Sequence, residues 1–385
     1  MRQTWWNVLS ALALGSFIAM SPATPSGGLA GPSPQVAGQP LSRSGGWRST
    51  APMAHERAEP MMVRLQSGRV LVAGAGDASM STMPCSASVE IFHPKANRWT
   101  SAAPLPHPLC GAHALVLNDG RVLVAGGFVR RGPSHIHATR SAWIYRPGAD
   151  LWTDTGRMRR SRAYFAMAPL PGGRVLVAGG RTTWNGRPQR RSAEIYHPRT
   201  GRWHQTDPLH HRRTAQSAVV LADRDVLVAG GYQRTAERFD VRTRRWVVAG
   251  ELREWVLIDP SLVVQRGGNV LAIGGGAKVD QYRTNRNVWR PFTPLPLRVQ
   301  GGTALLADHH PLVMGGMTRN SFSARCLGWH PHRNAWLVDS KMPVPKALFG
   351  AVRLGRGSVL VAGGEVRHSE GVSYYTRSAA RFIPK

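Results

Sequence analysis

The chain has 385 residues, with Lys+Arg 50 against Asp+Glu 21, a formal charge of +29. An apolar content of 42 % with Gly 42 and Pro 28 supplies both a core and abundant turns, which excludes a chain disordered throughout. Only five cations are Lys, so the charge is almost entirely guanidinium, which suits bidentate pairing with carboxylate, phosphate or sulfate; nucleic acid would be held only non-specifically.

In chain order, Met1 and Arg2 precede an uncharged, mostly apolar run from Thr4 to Met20, with small residues offering cleavage after Ala23 or Ala30. Residues 1–23 read as a secretory signal peptide, or as a membrane anchor if uncleaved, and the protein as exported, periplasmic or extracellular. Residues 24–44, rich in Pro, Gly and Ser, read as a flexible leader, and 45–385 as one folded body. No later segment is long and apolar enough to span a membrane.

From there the chain repeats itself. A Gly-x-Gly or Gly-Gly stands at Gly74/Gly76, Gly126/Gly127, Gly179/Gly180, Gly230/Gly231, Gly274/Gly275, Gly315/Gly316 and Gly363/Gly364, seven copies in all. All but one follow a short apolar run such as Val122-Leu123-Val124-Ala125, the exception in detail being His310-Pro311-Leu312-Val313-Met314, and each reads as a buried strand entered through a tight turn. Farther on, an aromatic residue precedes a tryptophan by seven positions: Phe92 and Trp99, Tyr145 and Trp152, Tyr196 and Trp203, Phe239 and Trp246, Tyr282 and Trp289, Trp329 and Trp336. A constant spacing across a turn predicts two antiparallel strands in fixed register. Phe382 lacks a following Trp, whereas Trp47 has no glycine pair before it, so the two ends are expected to complete one blade and close a ring. The expectation is an all-β, seven-bladed propeller of four-stranded blades, closed by pairing of the N-terminal strand with the C-terminal blade. The seven tryptophans are read as structural.

An apolar strand, a diglycine, a stretch such as Ala193-Glu194-Ile195-Tyr196-His197-Pro198 and a spaced Trp together resemble the kelch repeat, over residues 45–385. Gly74-Ala75-Gly76, and Trp143 and Leu327 where the family favours an acid, depart from its pattern.

Loops joining second to third strands, and connectors between blades, share one face by alternation of strand direction. The longest such loops run over 77–87, 128–141, 181–192 and 365–377. The position thirteen residues ahead of each second strand holds Arg57, Leu109, Arg162, Arg213, Leu257, Arg298 and Lys346, five of seven cationic. The resemblance implies arginines that can receive acidic groups of a peptide; the residues equally allow bonds to loop carbonyls that bridge neighbouring blades. Arg130, Arg140, Trp184, Arg187 and Tyr374, from the loops, extend this candidate ligand surface. Two positions after the cation phase, Glu59 and Asp259 are candidate acid/base groups, with Tyr164 and Gln300 in the same phase.

The first expectation is therefore an exported binding module for an anionic peptide or polysaccharide, with no cofactor, no metal and no membrane insertion beyond the N-terminal segment. The alternative is an enzyme acting on an anionic sugar, similar to kelch-type sialic-acid mutarotases. A galactose-oxidase-like oxidase is disfavoured because no local pattern matches its copper ligands, and the adjacent pairs His210-His211 and His309-His310 would face opposite sides of a strand. Cys85 and Cys110 both fall on the loop face, so a disulfide between them is expected, with Cys326 left as a small buried residue.

Overall fold

Each apolar tetrapeptide becomes the second strand of a four-stranded antiparallel sheet. The computed structural model describes residues 45–74, 85–131, 135–183, 188–253, 260–300, 303–307, 310–318, 321–367 and 373–384. The expected signal segment and leader lie outside these residues. Blade 1 is typical, with strands Met61–Arg64, Val70–Ala73, Val89–His93 and Arg98–Ala102. Blades 2 to 6 repeat its order, and blade 7 combines Gly350–Arg353, Val359–Ala362 and Ala379–Ile383 with the N-terminal strand Gly46–Ser49, Trp47 lying opposite Phe382. Helix among the described residues is limited to two short 3-10 turns, and none is long and apolar enough to cross a membrane.

The core is divided into layers between blades. Along Val70–Ala73, Leu71 and Ala73 pack toward blade 2, whereas Val70 and Val72 pack toward blade 7, the two-residue alternation of a strand covered on both faces. That double burial explains why the run is continuously apolar, and all four residues are 0 % exposed. First strands touch in cyclic order, blade 7 meeting blade 1, so they line a central channel.

The seven-residue spacing places each aromatic directly opposite its Trp, as in Phe92–Trp99 and Tyr196–Trp203, with centroids 4.9 Å apart in both. Two positions before each Trp the backbone is left-handed, at Asn97, Asp150, Gly201, Arg244, Asn287 and Asn334. Asn, Asp and Gly tolerate that conformation, which is why the turn length does not drift. Several tryptophans then reach the preceding blade: Trp152 Nε1 donates to Ala103 O at 2.8 Å and Trp203 Nε1 to Gly156 O at 2.7 Å.

Two segments read as loops are hairpins. Phe128–Arg131 pairs with His135–Ala138, and Glu365–Arg367 with Ser373–Tyr375. Both extend the second-to-third-strand connection beyond the sheet, onto the loop face.

Candidate functional site

Four of the five cations in that phase form clamps between blades, which corrects the expected ligand ring at those positions; the fifth, Arg298, is exposed. Arg57, Arg162 and Arg213 are 0 % exposed and Lys346 is 2 % exposed. The Arg162 N–H donates to Thr139 O of blade 2, and its carbonyl accepts the Gly127 N–H of the same blade at 2.9 Å. Its guanidinium enters blade 3, Nη1 donating to Gly179 O and Ser192 O at 2.7 and 2.9 Å and Nη2 to Glu194 Oε1 at 2.7 Å. Glu194 also accepts the N–H groups of Arg159 and Arg160, at 2.7 and 3.1 Å. Arg57 with Glu90 and Arg213 with Glu237 repeat the arrangement, at 2.8 and 2.7 Å. A Cβ on Gly126 would stand 2.4 Å from Arg162 O, so the diglycine serves this close approach. These side chains run outward from the channel toward the third strand, so none of them meets a ligand at the mouth. They carry out the alternative task of bonding carbonyls and bridging blades.

The sequence holds a signal for these pairs that the cation phase alone does not. Glu90, Glu194 and Glu237 accompany an arginine, whereas Leu109, which is buried, accompanies the buried Trp143. Taken together, the two phases predict the pairs.

Two residues past the clamp the chain turns left-handed toward the channel at Glu59, Gly111, Tyr164, Ala215 and Leu348, with φ between 51° and 63°. The Glu59 N–H donates to Leu348 O at 2.7 Å, Tyr164 N–H to Gly111 O at 2.8 Å and Ala215 N–H to Tyr164 O at 2.8 Å, linking neighbouring blades in a collar. The collar places Glu59 and Tyr164 over the mouth, where the Tyr164 hydroxyl donates to Glu59 Oε2 at 2.9 Å. The Arg181 guanidinium lies 4.5 Å from the Tyr164 ring centroid and 5.6 Å from that of Phe128. Glu59 is open to channel water yet surrounded by protein; this enclosure raises its pKa, against the opposing pull of the Tyr164 hydroxyl and Arg181. Glu365, from the blade 7 hairpin, is raised by burial and then by the charge of Glu59, and Tyr375 is pushed up to about 12, first by burial and then by both carboxylates. The mouth is thus a carboxyl and aromatic centre flanked by a stacked arginine, suited to hydrogen bonding with polar ligand groups.

Beneath it, Cys85 and Cys110 are joined in a disulfide, packed with Phe128, Ala138 and Ala163 and with Tyr164 against them. Cys326 is buried, which pushes its thiol up to about 12.

Arg130 and Arg140 are exposed on the blade 2 loop, Arg298 is exposed in the connector to blade 6, and Tyr374 is 47 % exposed. Trp184, Arg187, Asp259 and His309 lie outside the described residues. Arg190 belongs to the loop-face cations expected within 181–192; sequence reasoning missed that Arg160 and Arg212 join it in a rim on blades 3 and 4. There burial lowers the Arg190 pKa, and the neighbouring charges of Arg160 and Arg212 lower it further. The carboxylates close to this rim, Glu194 and Glu237, are buried and already paired. His210 and His211 do not face opposite sides: in a connector rather than a strand, their Nδ1 atoms stand 3.0 and 3.5 Å from Glu237.

No protein-family model matches the chain. The sequence is similar to Kelch-like protein 23 of Pongo abelii, 24 % identical over 69 % of this chain and 48 % of that protein. It is also similar to Beta-scruin of Limulus polyphemus, 30 % identical over 48 % of this chain and 20 % of that protein. The chain thus spans about half the length, or less, of these curated relatives. Among solved structures, a fungal alcohol oxidase of the AA5 family in complex with copper matches with TM-score 0.69 and 15 % identity over 89 % of this chain and 76 % of that one. The structure of YjhT matches with TM-score 0.56 and 13 % identity over 86 % of this chain and 95 % of that one. Identities this low are likenesses of fold. Among the described residues of this chain, no three His, Cys, Asp or Glu side chains come together to hold a metal ion.

Proposed function

We propose that this chain, a kelch-repeat β-propeller, is an exported binding module that takes an extended anionic ligand, an acidic peptide segment or a polysaccharide, on its loop face. The observation that carries the reading is the gathering of Arg160, Arg190 and Arg212: Arg190 Nε donates to Ser161 O, beside Arg160, at 2.8 Å and Arg212 Nη1 to Gln189 O, beside Arg190, at 3.2 Å, while the carboxylates nearby are already committed to Arg162 and Arg213. Like charges held together repel one another, and an anion relieves that repulsion while accepting charge-assisted hydrogen bonds. Exposed Arg130 and Arg140 continue the basic rim onto blade 2. The acid and aromatic mouth inside the rim would receive hydroxyl or amide groups of the same ligand.

The test is binding to a panel of acidic peptides and anionic glycans at physiological and high salt. Replacing Arg160 and Arg212 by Ala should weaken the preferred ligand by about tenfold per arginine and flatten its salt dependence. Unchanged affinity in the double variant would remove the rim from the reading. Export is tested by N-terminal sequencing of the mature protein, which should begin after Ala23 or Ala30.

A second reading, an enzyme acting on an anionic sugar, draws support from the convergence of Glu59, Tyr164 and Arg181 at the mouth. A carboxyl with a raised pKa beside a tyrosine hydroxyl can exchange a proton with a bound sugar. Turnover of anionic sugars that is lost in Glu59→Gln while binding persists would favour this reading over simple recognition.

A further inference from the structure

We propose that blade 7 carries a binding site for a carboxylate ligand, at the place where blades 1, 3 and 4 hold a glutamate of their own. In those blades the glutamate is Glu90, Glu194 or Glu237, opposite Val72, Val177 and Val228 respectively. Opposite the equivalent Val361 stands Ala380. The clamp cation persists as Lys346, whose Nζ donates to Gly363 O and Ser378 O at 3.1 and 3.2 Å and to Ser378 Oγ at 2.6 Å. Those two carbonyls correspond to the ones that arginine Nη1 meets elsewhere, at Gly179 and Ser192 in blade 3. Lysine has no second nitrogen to match Nη2, and alanine has no carboxylate.

The space so released is a pocket of about 110 Å3 lined by Pro343, Val344, Lys346, Val361, Ser378 and Ala380. Exposed Ser49, Pro52 and Pro343 stand at its outer side, while Lys346 and Val361 are buried at its inner side. No acidic residue lines it. An ammonium 2 % exposed, bonded only to neutral acceptors, lacks the counter-charge that the other clamps possess. Burial lowers the Lys346 pKa to about 8, the direction expected of a cation without that charge. A carboxylate in the pocket would supply it. Val344 sits two positions before the cation, where His55, Arg160 and His211 present an N–H to the carboxylates of the other blades. The aliphatic walls, including Met342 and Ala379, favour a carboxylate on a short hydrocarbon chain, whether a free acid or an acidic side chain of a partner peptide. The site is independent of the arginine rim.

The experiment uses the full chain labelled with 15N-lysine, since five lysines give few ammonium signals. Sodium acetate, sodium butyrate and N-acetyl-glutamate α-amide are titrated separately against sodium chloride at equal ionic strength. A saturable shift of the Lys346 signal with a carboxylate and not with chloride is the expected result. Response to butyrate without the glutamate amide identifies a free acid, and the reverse identifies an acidic side chain. Lys346→Arg with Ala380→Glu rebuilds the clamp of blade 3 and should abolish binding of the same carboxylate, read by calorimetry, while raising Tm. Ala380→Leu, which fills the pocket without adding charge, should abolish the lysine response as well. No carboxylate response in the parent, or a response that survives Ala380→Leu, overturns the proposal.

Discussion

The Tyr164 hydroxyl of blade 3 donates a 2.9 Å hydrogen bond to Glu59 of blade 1, its ring passing over Gly111 of blade 2. A Cβ at Gly111 would lie 2.6 Å from a Tyr164 ring carbon, and φ there is 63°. Gly111→Ala should therefore displace the ring and destabilise the protein by about 1–3 kcal/mol. Urea unfolding measures the loss.

Tyr164→Phe keeps the ring over Gly111 and removes only the bond. The stability change should be about 1 kcal/mol. Because that bond holds the Glu59 pKa down against enclosure, the pKa should rise further in the variant, which carboxyl 13C titration would detect.

Glu194→Ala leaves Arg162 buried without its carboxylate and should cost about 3–5 kcal/mol. Arg162→Leu with Glu194→Trp copies the apolar solution that blade 2 uses at Leu109 and Trp143. The double variant should lose less than the sum of the two single changes, a coupling that a denaturation cycle reads directly.

The Cys85–Cys110 disulfide closes a loop with a sequence separation of 25 residues. Its removal in Cys85→Ser with Cys110→Ser should lower stability by about 3 kcal/mol. The same bond lies under Tyr164 and Phe128, so affinity for a mouth ligand should fall along with Tm.

His113 packs edge-on against Phe165, with centroids 4.9 Å apart, and burial lowers its pKa from 6.5 to about 4. Below pH 6.5 the unfolded chain gains a proton that the folded chain refuses. Its contribution to stability is thus whole above pH 6.5 and is lost progressively as pH falls toward about 4. In His113→Gln the stability profile should be flatter over that window, as measured by urea midpoints at each pH.

The sequence by itself determined the seven-bladed ring, because its signals are local and repeat. The diglycine answers one close backbone approach, and the Trp spacing answers one turn with a left-handed residue. Trp47 and Phe382 were also legible, as orphans of the same pattern. Only the tertiary structure decided which way the cations point. Arg162 meets a carboxylate 32 residues later in the chain, and that partner seals a side chain that the loop phase would leave in solvent. The mouth was legible only in part: Glu59 and Tyr164 share one phase of the repeat, but they belong to different blades 105 residues apart, and only the closed ring brings the hydroxyl to the carboxylate. A period reports what every blade does alike; the clamp that lacks its carboxylate in blade 7 and the tyrosine that bridges a channel arise where one blade departs from the rest, and their meaning depends on what folding brings beside them.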